Sequence, residues 1–543
     1  MTDFAAAFAR IDRFVEHQMR ADNLPGLALA LTDRDRLLHV ATSGFADLAA
    51  QSPVTPDTLF EIGSIGKSFT AIALLQLHDA GMLDLHAPVT RYLPWFEVKS
   101  DHAPITLHHL LTHTAGIIAG TDCSLTAPSE VWGLRDSETG GPPGERFHYS
   151  NVGYKLLGLV LERLTGEPYP ATLQRRILDP LGMTASKPAI THDTRPRLAV
   201  GYAPAFDDRP FQPGDPLAPA TWIETDTADG SIAATAGDMA TFVRMLLNRG
   251  RGPNGPILSA AAFDLFSQRA VSAWDDVFYG YGLYTVEDDD HTLIGHDGGM
   301  VGFVSSLLAD IESGFGAVVL VNNLSDPDPI AHFAVSVLRA AQDGTALPAL
   351  PDPTDPTRIA NAADYAGTFT APGTDSTLAF TSDGDRRLLD HAAGPIPLER
   401  WADDAFLARH PAFARFPLAF ARDGERVVEL AHGPDWYVAD AYAGPTTFNH
   451  PPAWTAYPSH YRSHNPWISN FRVLLRKGTL WLAFPAGPDG FADEERLVPL
   501  GDNLFRVGDD PANPERLSFD AIVDNQALRA TLSGCSFFRF FTP

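Results

Sequence analysis

Ser64-Ile65-Gly66-Lys67 sets a hydroxyl and a primary amine three residues apart where an apolar helical stretch begins. Residues three apart on a helix share a face, so Ser64 Oγ and Lys67 Nζ can come within hydrogen-bond reach. A serine hydroxyl is a weak nucleophile that needs a base, and a lysine serves only when neutral. Burial among Ile65, Phe69 and Ile72 and the positive end of the helix both lower a lysine pKa. The same helix end offers backbone N–H groups to an oxyanion. Lysine occupies only positions 67, 99, 155, 187 and 477, which gives a lysine inside a motif added weight. The overlapping Gly66-Lys67-Ser68 is no phosphate loop, because position 61, where that motif needs glycine, is Glu.

Two further clusters carry polar groups at useful spacing. A Pro143-Gly144 turn leads into His148-Tyr149-Ser150-Asn151, just ahead of a helical pattern over 151–165. Alternate residues of an extended chain point the same way, so Tyr149 and Asn151 can face one cleft. There they would offer a phenol for proton transfer and an amide to hold a substrate carbonyl. Gly295-His296-Asp297-Gly298-Gly299 is entered from a strand-like run at 291–294, and its glycines permit close backbone approach to a ligand. His113 reads as a buried, hydrogen-bonded core residue, and Glu287-Asp288-Asp289-Asp290 as a solvated hairpin turn. His108-His109 lacks partners at metal-ligand spacing, so no metal is expected, and no cofactor.

The elements that must position these groups are legible as patterns. A helix is expected over 4–22, strands at 26–31 and 36–46, and a strongly apolar helix over 64–80. Helices at 106–115, 151–165, 171–179, 237–248 and 258–267 precede strands at 301–310 and 315–322 and a helix at 328–342. This order implies an α+β domain whose antiparallel sheet is built from both ends of the segment, with a helical subdomain between. Residues 344–358 are proline-rich and read as a stiff linker between a domain at 1–343 and one at 359–543. Beyond the linker, short alternating runs bounded by Gly, Asp or Pro imply an all-β domain, a sheet or barrel. Tyr365-Ala-Gly-Thr-Phe and His460-Tyr-Arg-Ser hint at a repeated opening strand, and the aromatics at 537–541 read as barrel core or domain interface.

Composition bounds the partners. With 45% hydrophobic and 20% charged residues the chain is globular rather than disordered. Its 40 basic and 67 acidic residues give a net charge of −27, which repels phosphate backbones and excludes nucleic acid as an expected partner. Two cysteines cannot build a disulfide framework or a thiolate zinc site and fit a reduced compartment. The N-terminus has no basic region before an apolar one, and no apolar run approaches the ~20 residues of a membrane span. The expectation is a cytoplasmic protein with a small-molecule or short peptide substrate and no membrane partner, homo-oligomerisation being left open.

In order and spacing, the three motifs resemble those of the serine β-lactamase/penicillin-binding-protein superfamily, in its class C-like branch, peptidase family S12 and its esterases. Thr106-Leu-His-His-Leu-Leu-Thr-His-Thr-Ala-Gly116 and Tyr279-Gly-Tyr-Gly-Leu-Tyr284 are phrases similar to those of the branch, and the likeness covers about residues 5–343. It implies that Ser64 is acylated, Lys67 is its base and Tyr149 shuttles the proton. It also implies that Asn151, His296, Gly298 and Gly299 bind substrate, with the N–H groups of Ser64 and Gly299 as oxyanion hole. His296 stands where the family also carries lysine. An exposed, mostly neutral histidine with a pKa of about 6.5 suits esters, amides and peptide N-termini better than carboxylates. The β-rich C-terminus resembles lipocalin-like domains appended to S12 peptidases, able to donate a loop over the cleft. The expected activity is therefore hydrolysis of amides or esters of peptide-like substrates, as in D-aminopeptidases. The alternatives are a carboxylesterase, a weak β-lactamase, a peptide cyclase acting by aminolysis, or a non-catalytic ligand-binding scaffold.

Overall fold

Strand β1 (Gly26–Thr32) is buried along its whole length, with Ala28 and Ala30 on one face and Leu27, Leu29 and Leu31 on the other. Such a strand needs cover on both sides, and the computed structural model supplies it. The structure describes residues 4–120, 123, 126–212, 214–288, 291–351, 355–485 and 494–540. Residues 352–354 of the expected linker and Asp289 and Asp290 of the acidic run lie outside the described residues.

Nine antiparallel strands form the main sheet. After β1 come β2 (Leu37–Asp47) and β3 (Ser52–Pro53). The rest are β4 (Val271–Trp274), β5 (Val277–Tyr279), β6 (Tyr284–Asp288), β7 (His291–Met300), β8 (Phe303–Asp310) and β9 (Gly316–Val321). Their spatial order is β4-β5-β6-β7-β8-β9-β1-β2-β3, so the last strand in sequence pairs with the first, Leu29 facing Val319. Helices α1 (Ala5–Ala21) and α5 (Asp328–Asp343) cover the face carrying Leu27, Leu29 and Leu31. Helices α2 (Gly66–Asp79) and α4 (Ala236–Leu247) share the core on the opposite face. Helix α3 (Asn151–Thr165) packs beside α2 in the helical middle. The expected helix near 171–179 is subdivided: Tyr169–Leu173, a π turn Gln174–Leu178, and Asp179–Leu181 with Pro180 in it.

The expectation of one all-β C-terminal domain is corrected. The region forms two closed barrels of eight antiparallel strands each, running from Gly367–Thr370 to Asp435–Ala439 and from Ser459–Arg462 to Cys535–Phe538. Thr370 pairs with Val438 to close the first, and Arg462 with Phe538 to close the second. Closure removes sheet edges, and alternate residues of each strand then fill an interior. The strand pattern does not separate the two barrels because both use the same short alternating strands, and the hinted repeat of an opening strand is the one trace of a second barrel. A second correction concerns the C-terminal aromatics: Phe537 is buried, while Phe538 and Phe540 are exposed, and Phe541 lies outside the described residues. No helix among the described residues is long and apolar enough to cross a membrane.

Candidate active site

Ser64 sits in a single 3-10 turn, Gly63–Ile65, that feeds directly into α2. Gly63 makes the corner possible. Its φ is +51°, which favours glycine, and a side chain there would meet Gly299 of β7 at under 3 Å. Gly298 is equally hemmed in, since a Cβ would lie 1.9 Å from Ile62 O. Ser305 Oγ also donates to Ile62 O at 3.0 Å. Gly63 and Gly298 therefore let the β7 backbone lie against the nucleophile corner, with Gly299 N 2.7 Å from the place a Gly63 side chain would take.

One turn into the helix, Lys67 Nζ lies 2.9 Å from Ser64 Oγ and 2.8 Å from Asp229 O. Lys67 is fully buried, and that desolvation lowers its pKa to about 7, opposed by the Asp229 charge and assisted by Lys155. Lys155 is a second buried lysine, but it has a carboxylate partner, Glu130, at 2.6 Å. The neutral Lys67 amine can donate to Asp229 O and accept the Ser64 proton. Lys67 Nζ also lies 4.8 Å from the centroid of the Tyr149 ring.

Tyr149 and Asn151 flank Ser150, the N-cap of α3, whose Oγ accepts from the Gly153 N–H at 3.1 Å. His113 fixes this arm from behind. Its carbonyl accepts from the His148 N–H at 2.7 Å and its Nδ1 from the Ser150 N–H at 2.9 Å, so both neighbours of Tyr149 are held by one residue. The His113 ring lies 4.2 Å from the Tyr149 ring, and burial holds its pKa well below the ordinary value, so Nε2 carries the proton. Asn151 Oδ1 is buried without a hydrogen-bond partner among the described residues, an unmet acceptor next to Tyr149.

His296 corrects an expectation. It is 3% exposed, not open to solvent, and burial followed by the nearby Lys67 charge lowers its pKa to about 3. With its Nδ1 2.6 Å from Asp297 O and its Nε2 3.1 Å from Tyr279 OH, the neutral ring donates to the first and accepts from the second. Strand alternation explains the error: on β7, His296 faces inward and Asp297 outward. Ser64, Tyr149, Asn151 and Gly299 are partly exposed, whereas Lys67, His296 and Gly298 lie behind them. The seven sequence-selected residues thus gather around the Ser64 corner. Asp229, which orients Lys67, had no sequence signal; His113 sits in a legible phrase but its hold on Tyr149 is visible only in three dimensions.

A comparison with known families matches the beta-lactamase family to residues 11–342. The chain is 31% identical over 327 residues to penicillin-binding protein 4 of Amycolatopsis lactamdurans, covering 55% of this chain and 81% of that one. It shares the fold of the octameric penicillin-binding protein homologue from Pyrococcus abyssi, with a TM-score of 0.58 and 24% identity over 79% of this chain and 99% of that one. A D-stereospecific amidohydrolase from a Streptomyces species superposes with a TM-score of 0.50 and 25% identity, covering 63% of this chain and all of the other. The match spanning more than half of the sequence, carried by a serine–lysine pair in a family-matched domain, makes this chain a member of the beta-lactamase family and a serine hydrolase of that family.

Proposed function

We propose that the protein cleaves amide or ester bonds of small peptide-like substrates through an acyl-enzyme on Ser64. Lys67 takes the Ser64 proton, Tyr149 passes a proton to the leaving group and helps activate water for deacylation, and Asn151 holds the acyl side. The N–H groups of Ser64 and Gly299 receive the oxyanion. The observation that carries this reading is Lys67 Nζ at 2.9 Å from Ser64 Oγ, buried, with a pKa lowered to about 7. A base poised near the operating pH is what general-base catalysis requires. His296, buried and neutral, gives no charge to attract a carboxylate, which favours neutral amides and esters over penicillins. The likeness to a D-stereospecific amidohydrolase supports the amide preference.

We read each barrel as lipocalin-like, residues 1–343 as the enzyme domain joined by 344–358 to the barrels, and the protein as cytoplasmic. Limited proteolysis cutting near 344–358 and leaving a soluble 1–343 fragment supports that division; an insoluble fragment counts against it. The catalytic reading is tested by Ser64→Ala, which should lower turnover by on the order of 10³-fold or more without changing the fold. A fluorophosphonate adduct, seen by intact mass on the wild type, should vanish in that variant. Turnover retained by purified Ser64→Ala overturns the assignment. Assaying D- and L-aminoacyl amides, p-nitrophenyl esters and nitrocefin on one preparation then ranks the substrates.

A further inference from the structure

The second barrel reaches both sides of Tyr149 through one carboxylate. Glu515 lies directly before the barrel strand Arg516–Val523, and its carbonyl accepts from the Val507 N–H at 3.1 Å, which fixes it to the barrel wall. Its side chain leaves the barrel for the enzyme domain. There Oε1 accepts from the Ala119 N–H at 2.6 Å and from His148 Nε2 at 3.2 Å, while Ser533 Oγ donates to Oε2. Burial opposes ionisation of Glu515, but the hydrogen bonds from His148, Ser533 and Ala119 outweigh it and hold the pKa below the usual carboxylate range.

The contacts with Ala119 and His148 lead to the Tyr149 arm, while Ser533 holds the carboxylate from within the barrel. Ala119 O accepts from the N–H groups of Asn151 at 2.7 Å and Val152 at 3.2 Å, so the Ala119 residue held by Glu515 also holds the start of α3. His148 is the residue before Tyr149. His113 grips the arm from the enzyme side, and Glu515 grips it from the barrel side. The seam beside Glu515 is not filled throughout. A cavity of about 90 Å³ lies between the barrel loop and the arm, lined among others by Phe147, His148, Asp510 and Ala512. Directed polar contacts cross the seam, and those of Glu515 are less exposed than the neighbouring Arg146–Asp510 pair.

We propose that Glu515 is a positioning residue for the reaction: from the second barrel it sets the placement of Tyr149 and Asn151 against Lys67 and Ser64. This rests on the acyl-enzyme reading above. Tyr149 must keep its phenol within hydrogen-bond reach of the reacting atoms, and a misplacement near 1 Å costs up to about 100-fold in rate. Without the carboxylate the Ala119 N–H loses its acceptor and His148 its anchor, while the groups that bind and attack remain present.

The test uses the full-length protein and p-nitrophenyl acetate. Glu515→Ala should lower kcat by about 10- to 100-fold with KM changed by less than about threefold, the signature of a lost transition-state arrangement rather than lost binding. Glu515→Gln keeps an acceptor for the Ala119 N–H and should recover most of kcat. Adding His148→Ala to Glu515→Ala should cost little more, because both act on the same arm. The proposal is overturned if Glu515→Ala keeps kcat within about twofold of wild type, if Gln is no better than Ala, or if KM alone rises. If Glu515→Ala is insoluble, Glu515→Asp, one methylene shorter, is read by the same kcat and KM criteria. An active Ser64→Ala protein overturns the acyl-enzyme reading instead; an inactive one beside a fully active Glu515→Ala overturns this inference alone.

Discussion

The two barrels are closed by the same number of strands, yet they meet the enzyme domain in different ways. The first touches it through half-exposed ion pairs, Arg409 with Asp215 at 3.8 Å and Arg415 with Asp208 at 3.6 Å. The second holds the same loop more tightly, with Arg462, Ser469 and Asn470 all on Asp207, and adds the partly buried contact of Glu515 at the Tyr149 arm. Their interiors differ as well. The second is filled by apolar and aromatic side chains such as Tyr461, Phe471 and Phe519. The first buries a charge, Arg387, whose guanidinium carbon lies 4.1–5.1 Å from the ring centroids of Tyr365, Phe380, Phe406 and Phe420. Two barrels of like topology thus differ in their contacts: the second reaches the Tyr149 arm, while the first meets the enzyme domain through half-exposed ion pairs.

The largest expected effect separates the barrels by wedging the second one away. A Cβ added at Gly140 would lie 1.8 Å from Ala512 O and 2.7 Å from Ala512 C, both backbone atoms that cannot rotate aside. Gly140→Val should therefore displace the barrel loop from the arm and lower kcat toward p-nitrophenyl acetate by about 100-fold. Equal kcat in the variant and wild type would show that the second barrel is no more involved in turnover than the first.

Next in size is a stability change confined to the first barrel. Arg387 donates from Nη2 to Tyr365 O at 2.9 Å but leaves Nε and Nη1 without hydrogen-bond partners among the described residues, and desolvation pushes its pKa down to about 9. Four rings offset part of that cost through cation–π attraction. Removing a buried charge in favour of an apolar side chain of similar volume is often neutral or stabilising. Arg387→Met should thus leave kcat unchanged and stabilise the barrel by about 1 kcal/mol in a urea titration. A loss of more than about 2 kcal/mol would mean that the ring cage outweighs desolvation.

The sequence made the enzyme domain legible and the barrels only partly so, for physical reasons. Ser64, Lys67, Tyr149 and Asn151 are placed by local geometry, a helix turn or an extended dipeptide, which spacing reports directly. The burial of His296 depends on which face of β7 turns inward, and a Gly-rich strand gives too little alternation to decide that. The contacts of Glu515 span 396 and 367 residues in sequence, so no local pattern could announce them. The repeated opening strand was visible but out of place. In the structure Tyr365 matches Tyr457 rather than Tyr461: each is buried, each closes a 3-10 turn, and each stands two residues before the first strand of its barrel.

A smaller effect is expected on the pH profile, and it sharpens where the second barrel acts. Protonated Lys67 is no base, so kcat/KM should rise as pH increases through about 7, the lowered pKa of Lys67, and stay high above it. His296, at about 3, should add no inflection between about pH 5 and 9. The groups that set the Lys67 value are its burial, Asp229 and Lys155, all in the enzyme domain. Gly140→Val should therefore lower the plateau of the profile and leave its midpoint in place. A shifted midpoint would mean that the barrel tunes the base rather than the Tyr149 arm.

The smallest effect is expected where the first barrel touches the enzyme domain. Arg409 and Arg415 are half-exposed, and their partners Asp215 and Asp208 lie at 3.8 and 3.6 Å, beyond good hydrogen-bond distance. Pairs of this kind contribute about 0–1 kcal/mol and are screened by salt. Arg409 keeps a second carboxylate, Glu399 of its own barrel, at 2.6 Å, so cutting the longer contact removes little. Arg415→Ala, and Asp215→Asn for the Arg409 contact, should each change stability by less than about 0.5 kcal/mol and leave kcat within about twofold of wild type. The exposed pair Arg146–Asp510, at 2.7 Å on the second barrel's side, is the stringent control. If proximity to the arm were enough, Arg146→Ala would lower kcat as Gly140→Val does. If directed, buried contact is what matters, Arg146→Ala should behave like the first-barrel variants, with urea midpoints and kcat measured at low and high salt. A drop in kcat for Arg415→Ala matching that of Gly140→Val would erase the distinction between the barrels, because a weak, solvent-screened tether would then do as much for Tyr149 as the partly buried, hydrogen-bonded carboxylate of Glu515.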